Sequence, residues 1–332
     1  MKVFITGVNG FIGSNLCRYF LERGHEVYGL VRKTSDLHFL KGLNVRLVYG
    51  DLRAPGQIDI PRDVEAVVHS ASIVSDTASE DVCRTNIYIL AVNLVERVRE
   101  LKLSLKRFIY ISTALTLGFD GWNISEENLG KSAEFLAYTR YKTKTEKFFF
   151  NQWKENRLPA VVLRPADVYG PHDRTSCAQI LRGIERGTPL IVGHGNWYFG
   201  FCYIDNLCQA THLALTREGI EGRAYTVTNR ELPTWKTFFK GLQEGLHKKQ
   251  RIYVPVFFAF FIAAVLKMLK KLFPRYEPSI NYYRLKRITT HTTYDISRTI
   301  AELGYDPDDD TEKQIRSIVS WYLKERENGF IQ

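Results

Sequence analysis

The stretch that most constrains this chain is its first, Met1 to Gly13. Val3, Phe4 and Ile5 make a short apolar run, the pattern of a strand buried on both faces. Thr6-Gly7 ends the run, and Gly7, Gly10 and Gly13 then fall three residues apart. From Asn15 to Glu22, Leu16, Tyr19 and Phe20 sit at helical spacing. Strand, glycine turn and helix in that order form the setting in which a dinucleotide pyrophosphate is bound. A side chain at Gly7 or Gly10 would hold the backbone away from the phosphates, and Gly13 lets the helix pack closely. The helix start offers free N–H groups and the positive end of its dipole. Asn9, Phe11 and Ile12 complete the turn and join the expected cofactor contacts. Taken alone, three glycines also fit a purely structural turn.

A chain of 332 residues holds one large α/β domain or two modest ones. Its five cysteines (Cys17, Cys83, Cys177, Cys202, Cys208) are scattered, with neither metal-ligand nor redox-motif spacing. No metal is expected, and the setting is a reduced, cytoplasmic one. A strand from residue 2 leaves no room for a signal peptide before it. The net charge of +10 is concentrated, because Gly245 to His291 carries ten Lys/Arg against one acid, Glu277. No nucleic-acid-binding motif accompanies this basic stretch, so no nucleic-acid partner is expected.

The first half alternates. Strands are expected at Glu26–Val31, Val45–Val48, Ala66–His69, Arg107–Ser112 and Ala160–Leu163, with helices at Cys83–Leu101 and Glu134–Asn156. This alternation predicts a doubly wound parallel sheet, an α/β Rossmann-like fold, with helices on both faces. Beyond Gly170 the pattern loosens. Helices are expected at Cys177–Arg186, Asn206–Thr216 and Glu312–Arg326, and strands at Phe201–Ile204 and Ala224–Val227. The nucleotide-binding domain is therefore drawn as residues 1–170 with parts of 201–228. A smaller substrate lobe takes 171–200 and 229–332.

Several residues carry chemistry. Arg32 and Lys33 follow the second strand at once, where an acid would bind adenosine ribose hydroxyls and an Arg accommodates a 2′-phosphate. Asp36 comes four residues later. NADP(H) is thus the expected cofactor, NAD(H) the alternative, and a solvated Arg the bland reading. Asp51, beside Leu52 after the third strand, either accepts from an adenine amine or caps its turn. Tyr138 and Lys142 lie four apart on one helix, so they face the same way. A free phenol, with a pKa of about 10, is a poor base at neutral pH, and a nearby ammonium would lower it. Thr113 or Ser112, at the end of the fifth strand, could hold a substrate oxygen beside the phenol.

These features together resemble an extended short-chain dehydrogenase/reductase, of the NAD-dependent epimerase/dehydratase superfamily. The resemblance rests on Thr6-Gly7-x-x-Gly10-x-x-Gly13, the Asp51 turn, Tyr138-x-x-x-Lys142, and Arg164-Pro165-Ala166-Asp167-Val168-Tyr169-Gly170-Pro171. The last resembles the R-P-x-x-V-Y-G-P segment beside the nicotinamide, which implies cofactor contacts at Pro165 and Val168. His69-Ser70-Ala71-Ser72 resembles the H-x-A-A segment that skirts the cofactor, which implies Ser70, Ala71 and Ser72. Asn86 resembles the Asn of an N-x-x-G-T helix, although Leu90-Ala91 replaces G-T. Counted back from Gly118, the family's hydroxyl partner falls on Thr113. The implied catalytic set is Thr113, Tyr138 and Lys142, with Lys142 also on the nicotinamide ribose.

Ala114-Leu115 replaces the acidic pair of sugar-nucleotide dehydratases. Leu30-Val31-Arg32-Lys33-Thr34-Ser35-Asp36 resembles the branch of dihydroflavonol reductases, 3β-hydroxysteroid dehydrogenases and hopanoid-associated reductases. That branch implies an NADPH-preferring oxidoreductase on an apolar ketone, aldehyde or alcohol, and a homodimer. A nucleotide-sugar epimerase, with Arg174, Arg182 and Arg186 aimed at a diphosphate, is the first alternative. A non-catalytic cofactor sensor is the second. Residues 252–266 are 15 uncharged residues with four phenylalanines, flanked by lysines. They read either as a helix buried against the cleft or as a peripheral membrane patch, too short for a span of about 20 residues.

Overall fold

Seven apolar runs become one all-parallel sheet: Lys2–Thr6 (β1), Glu26–Val31 (β2), Arg46–Tyr49 (β3), Ala66–His69 (β4), Arg107–Ile111 (β5), Ala160–Pro165 (β6) and Ala224–Val227 (β7). This computed structural model describes residues 1–129, 135–188, 191–249, 253–273 and 280–331. The strand order is β7-β6-β5-β4-β1-β2-β3. Side chains alternate between two cores: Val3 and Ile5 join one, and Phe4 joins the other. Both faces are covered, which is why the strands read as continuous apolar runs rather than alternating ones.

The chain runs outward from β1 to β3 and then crosses back to β4. The topological switch therefore lies between β1 and β4, the place where sheets of this kind set a ligand crevice at the carboxyl ends of the strands. Thr6 pairs across from His69 at that edge. Helix Phe11–Leu21 (α1) packs against Ile204–Thr216, and their apolar residues join the core of Val3 and Ile5. Helices Leu90–Glu100 (α2) and Ala137–Asn156 (α3) serve the other core through Leu94, Val95 and Phe149.

The single helix expected from Cys83 to Leu101 is built in three parts. A turn at Glu80–Cys83 passes through a π-helical segment, Arg84–Ile89, into α2. The Asn86 side chain donates to the Val82 carbonyl at 2.9 Å, and such insertion into the backbone ladder widens a helix. Glu134, expected to begin α3, lies outside the described residues.

Past Gly170, Cys177–Glu185 and Thr311–Glu327 form as expected, and Trp235–Gly245 lies between them, unforeseen. Phe238, Leu242, Ile315 and Ile318 of this group continue the core of Val3 and Ile5. The five cysteines are all buried and unpaired.

Helix Val256–Leu272 (α4) corrects the buried reading of the apolar stretch. Only Ala259 and Ala263 are buried, against Leu285 of Tyr282–Ile288 (α5), while Phe257, Phe258 and Phe261 are exposed. The small alanine face makes the contact, with Phe260 packed beside it, so those three phenyl rings stand away from the protein. Arg251, Ile252, Arg275 and Glu277 of the basic stretch lie outside the described residues.

Candidate functional site

The turn after β1 is held by geometry that only glycine satisfies. Gly7 has φ +71°, and a Cβ there would lie 2.9 Å from the Ala71 backbone. A Cβ on Gly13 would come within 2.1 Å of the Gly7 carbonyl oxygen, so Gly13 fits the turn itself as much as the strand. Gly10 is the N-cap of α1 and no side chain caps the helix. Its N–H donates to Gly7 O at 3.0 Å, while the N–H groups of Phe11, Ile12 and Gly13 begin the helix. Thr6 ties the two crevice strands. Its Oγ1 meets His69 Nδ1 at 2.8 Å and accepts from Ala71 N at 3.2 Å, and Ser70 donates to its carbonyl at 2.7 Å. Burial pushes the His69 imidazole down to about 3, so it stays neutral. Ser72 lies next in the same loop and bonds Ile73 O. A glycine cradle, an uncapped helix start and a neutral crevice wall fit a dinucleotide pyrophosphate.

At the end of β2, Arg32 and Lys33 are exposed, and Arg32 N donates to Ser35 Oγ at 3.0 Å. Asp36, the nearest acid in sequence, is turned to Arg174 at 3.1 Å. Arg174 also lies over the rings of Phe39 and Phe330. It is therefore engaged here rather than at a diphosphate beside Tyr138. Arg186 is exposed at the end of Cys177–Glu185, and Arg182 lies near Tyr322. Asp51 accepts from Arg53 N at 2.9 Å and pairs with its guanidinium. Arg53 first, and Arg32 further off, hold its carboxyl below the usual range. Leu52 is buried, and its carbonyl accepts from Asn93 at 2.7 Å.

The end of β5 separates the two candidate hydroxyls. Ser112 donates to Glu146, whereas Thr113 caps the turn Ala114–Thr116 and lies close enough to the Tyr138 hydroxyl to favour its ionised form. Thr113 is thus the hydroxyl beside the phenol. Tyr138 and Lys142 share one face of α3, both under a tenth exposed, with Cys83 and Ile87 of the widened helix packed on the tyrosine. Lys142 Nζ donates to Ile111 O at 2.9 Å and lies 5.8 Å from the Tyr138 ring centroid.

The electrostatics differ from the simple expectation of an ammonium lowering a phenol. Burial pushes Tyr138 above its ordinary range, against the influence of the Thr113 hydroxyl, and pushes Lys142 down to about 7. Desolvation acts on both groups, because both sit in one dry wall with Nζ drawn to a backbone carbonyl.

Two further elements were not foreseen from the sequence. Glu146, one helical turn beyond Lys142, is fully buried and holds Arg164 at 2.7 Å and Thr116 at 3.2 Å besides Ser112. On the far side of Tyr138, Arg287 of α5 donates to Asp167 and to the Tyr283 hydroxyl. Burial raises the Asp167 carboxyl despite that guanidinium. Tyr283 meets the rings of Phe119 and Phe135 at 5.4 and 5.6 Å. Pro165 ends β6, and Val168 follows in Asp167–Tyr169, which pairs with Phe201–Tyr203. Glu146 carried a signal, the repeat of four from Tyr138 and Lys142. Arg287, more than a hundred residues downstream, carried none.

The sequence profile of the NAD dependent epimerase/dehydratase family matches residues 3–228. Sterol demethylase protein B of Methylococcus capsulatus is 28% identical, with all of both chains covered. Sterol-4-alpha-carboxylate 3-dehydrogenase, decarboxylating, of Candida albicans is 25% identical over 96% of this chain and 97% of its own. Among solved structures, UDP-glucuronic acid 4-epimerase of Bacillus cereus in complex with NAD superposes with a TM-score of 0.77, at 21% identity and 98% coverage of each chain. That likeness is one of fold.

Proposed function

This chain belongs to the NAD dependent epimerase/dehydratase family, and on that premise we propose that it transfers hydride between NADPH and the ketone or alcohol of an apolar substrate. It is an NAD(P)-dependent oxidoreductase of the extended short-chain type. The observation that carries the finer reading is Thr113 beside the Tyr138 hydroxyl, with Lys142 one turn along the same buried face. The nicotinamide, when bound, supplies or takes up the hydride. Tyr138 gives its proton to the carbonyl oxygen in reduction and recovers it in oxidation. Thr113 holds that same oxygen, and Lys142 steadies the nicotinamide ribose. A phenol kept protonated by burial is in the form that reduction requires.

An apolar substrate is supported by the sterol-acting names of the relatives and by the aromatic wall of Phe119, Phe135 and Tyr283. The test is turnover of a panel of steroids, apolar ketones and long-chain aldehydes with NADPH, with UDP- and dTDP-sugars alongside. Oxidation of NADPH by an apolar carbonyl is expected. Sugar interconversion without net cofactor change would overturn the reading in favour of an epimerase.

The NADPH preference rests on Arg32, exposed at the end of β2, with Asp36 turned to Arg174. A charge-assisted hydrogen bond to a 2′-phosphate contributes about 1.5–3 kcal/mol, roughly tenfold to a hundredfold in affinity. Arg32→Asp is expected to lower the NADPH/NADH affinity ratio by that factor in titrations of each nucleotide. An unchanged ratio would remove Arg32 from the site.

A further inference from the structure

We infer that α4 docks this protein on an anionic lipid bilayer, lying in the plane of its surface. The observation is the distribution of side chains along the helix. Its buried face is two alanines, Ala259 and Ala263. The opposite face carries Phe257, Phe258, Phe261, Met268 and Leu272, and Phe273 follows at its end. Phe257 is 77% exposed and Phe261 62%. A contiguous patch of this kind is rare on a surface with no partner.

Charge selects the occupant. From Gly245 to Tyr276 the sequence contains no acidic residue. Lys248 and Lys249 precede the helix, and Lys267 and Lys271 lie exposed in its last turns. Phenylalanines at the level of the acyl chains, with lysines among the headgroups, are the two attractions of an interfacial helix. Among the described residues, no helix is long and apolar enough to cross a membrane. Seating in the plane of the interface remains.

This seating bears on the cleft. Phe260 of α4 meets Tyr282 of α5 at 5.3 Å. The next residue, Tyr283, belongs to the aromatic wall, and Arg287 lies one turn further along α5. The bilayer would thus stand one helix away from Tyr138. A substrate dissolved in lipid could reach the cleft along that wall. The docking itself stands independently of the proposed reaction.

The experiment is flotation of the full chain with vesicles of phosphatidylcholine alone or mixed with phosphatidylglycerol. The protein is expected to float with the anionic vesicles and to fall back at about 1 M salt, where the Debye length is about 3 Å. Phe257→Glu/Phe261→Glu is expected to lower the bound-to-free ratio about a hundredfold, near tenfold per phenylalanine. Lys267→Glu/Lys271→Glu is expected to cost about fivefold per lysine, on anionic vesicles only. All four positions are exposed, so nucleotide binding and the circular dichroism spectrum should be unchanged. A wild-type chain that stays at the bottom with both vesicles overturns the inference. So does a phenylalanine variant that floats like the wild type. A wild-type dimer that the phenylalanine pair splits, with no flotation, would assign the face to a second copy and overturn it equally.

Discussion

Tyr138→Phe leaves the protein folded and able to bind nucleotide, and lowers kcat by about a hundred- to ten-thousandfold, the range for loss of a positioned general acid. The ring sits in a dry pocket with Cys83 and Ile87, and phenylalanine fills the same volume. Loss of one hydroxyl near Thr113 should change the stability of the folded state by no more than about 1 kcal/mol. Nucleotide affinity should move by no more than about twofold, because the hydroxyl faces Thr113 rather than the glycine turn. Single-turnover kinetics with saturating NADPH separate the two effects, since a lost proton donor slows the chemical step without changing occupancy. Thr113→Val should fall between the wild type and Tyr138→Phe. Turnover by Tyr138→Phe within threefold of the wild type would mean that another group supplies the proton. The neighbouring candidates are Asp167, whose carboxyl burial raises, and Tyr283.

How much of this was legible depends on the range of the interaction. The β1 turn was readable because its constraint is local. Gly7 and Gly13 are fixed by atoms of the turn itself and by the Ala71 backbone. The pairing of Tyr138 with Lys142 is likewise set by helical geometry. Spacing could not separate Ser112 from Thr113, because successive residues leaving a strand face opposite sides. The fold shows Ser112 turned to Glu146 and Thr113 near the phenol, the residue that the family resemblance implied. Arg287 stood beyond reach, since nothing in its own neighbourhood announces a partner at Asp167. The apolar stretch that forms α4 failed as a buried helix for a related reason. Apolar content measures what a helix can bury, while the partner decides which face it does bury. Here that partner, α5, takes the alanines.

Glu146→Ala is the substitution expected to damage the fold most. Its carboxylate is fully buried and accepts from Arg164, Ser112 and Thr116. Arg164 is only 2% exposed, and its remaining acidic neighbour is Glu126 at 3.7 Å. Removing one member of a buried ion pair strands the other, at a cost of about 3–5 kcal/mol. The melting temperature should fall by roughly 5–10 °C. Glu146→Met/Arg164→Met replaces both charges with apolar groups and should recover most of that loss, because no unpaired charge remains. Activity should not recover with it. Ser112 and Thr116 bracket the turn that Thr113 caps, and Glu146 ties both hydroxyls to α3, the helix that carries Tyr138. Without the carboxylate, Thr113 is no longer fixed against the phenol, so a stable double variant with depressed kcat is expected. Thermal melts and steady-state rates on the wild type, both single variants and the double variant test the two halves separately. A Glu146→Ala protein as stable as the wild type would show that Arg164 finds another partner. A double variant with full activity would reduce the network to a structural tie with no bearing on the site.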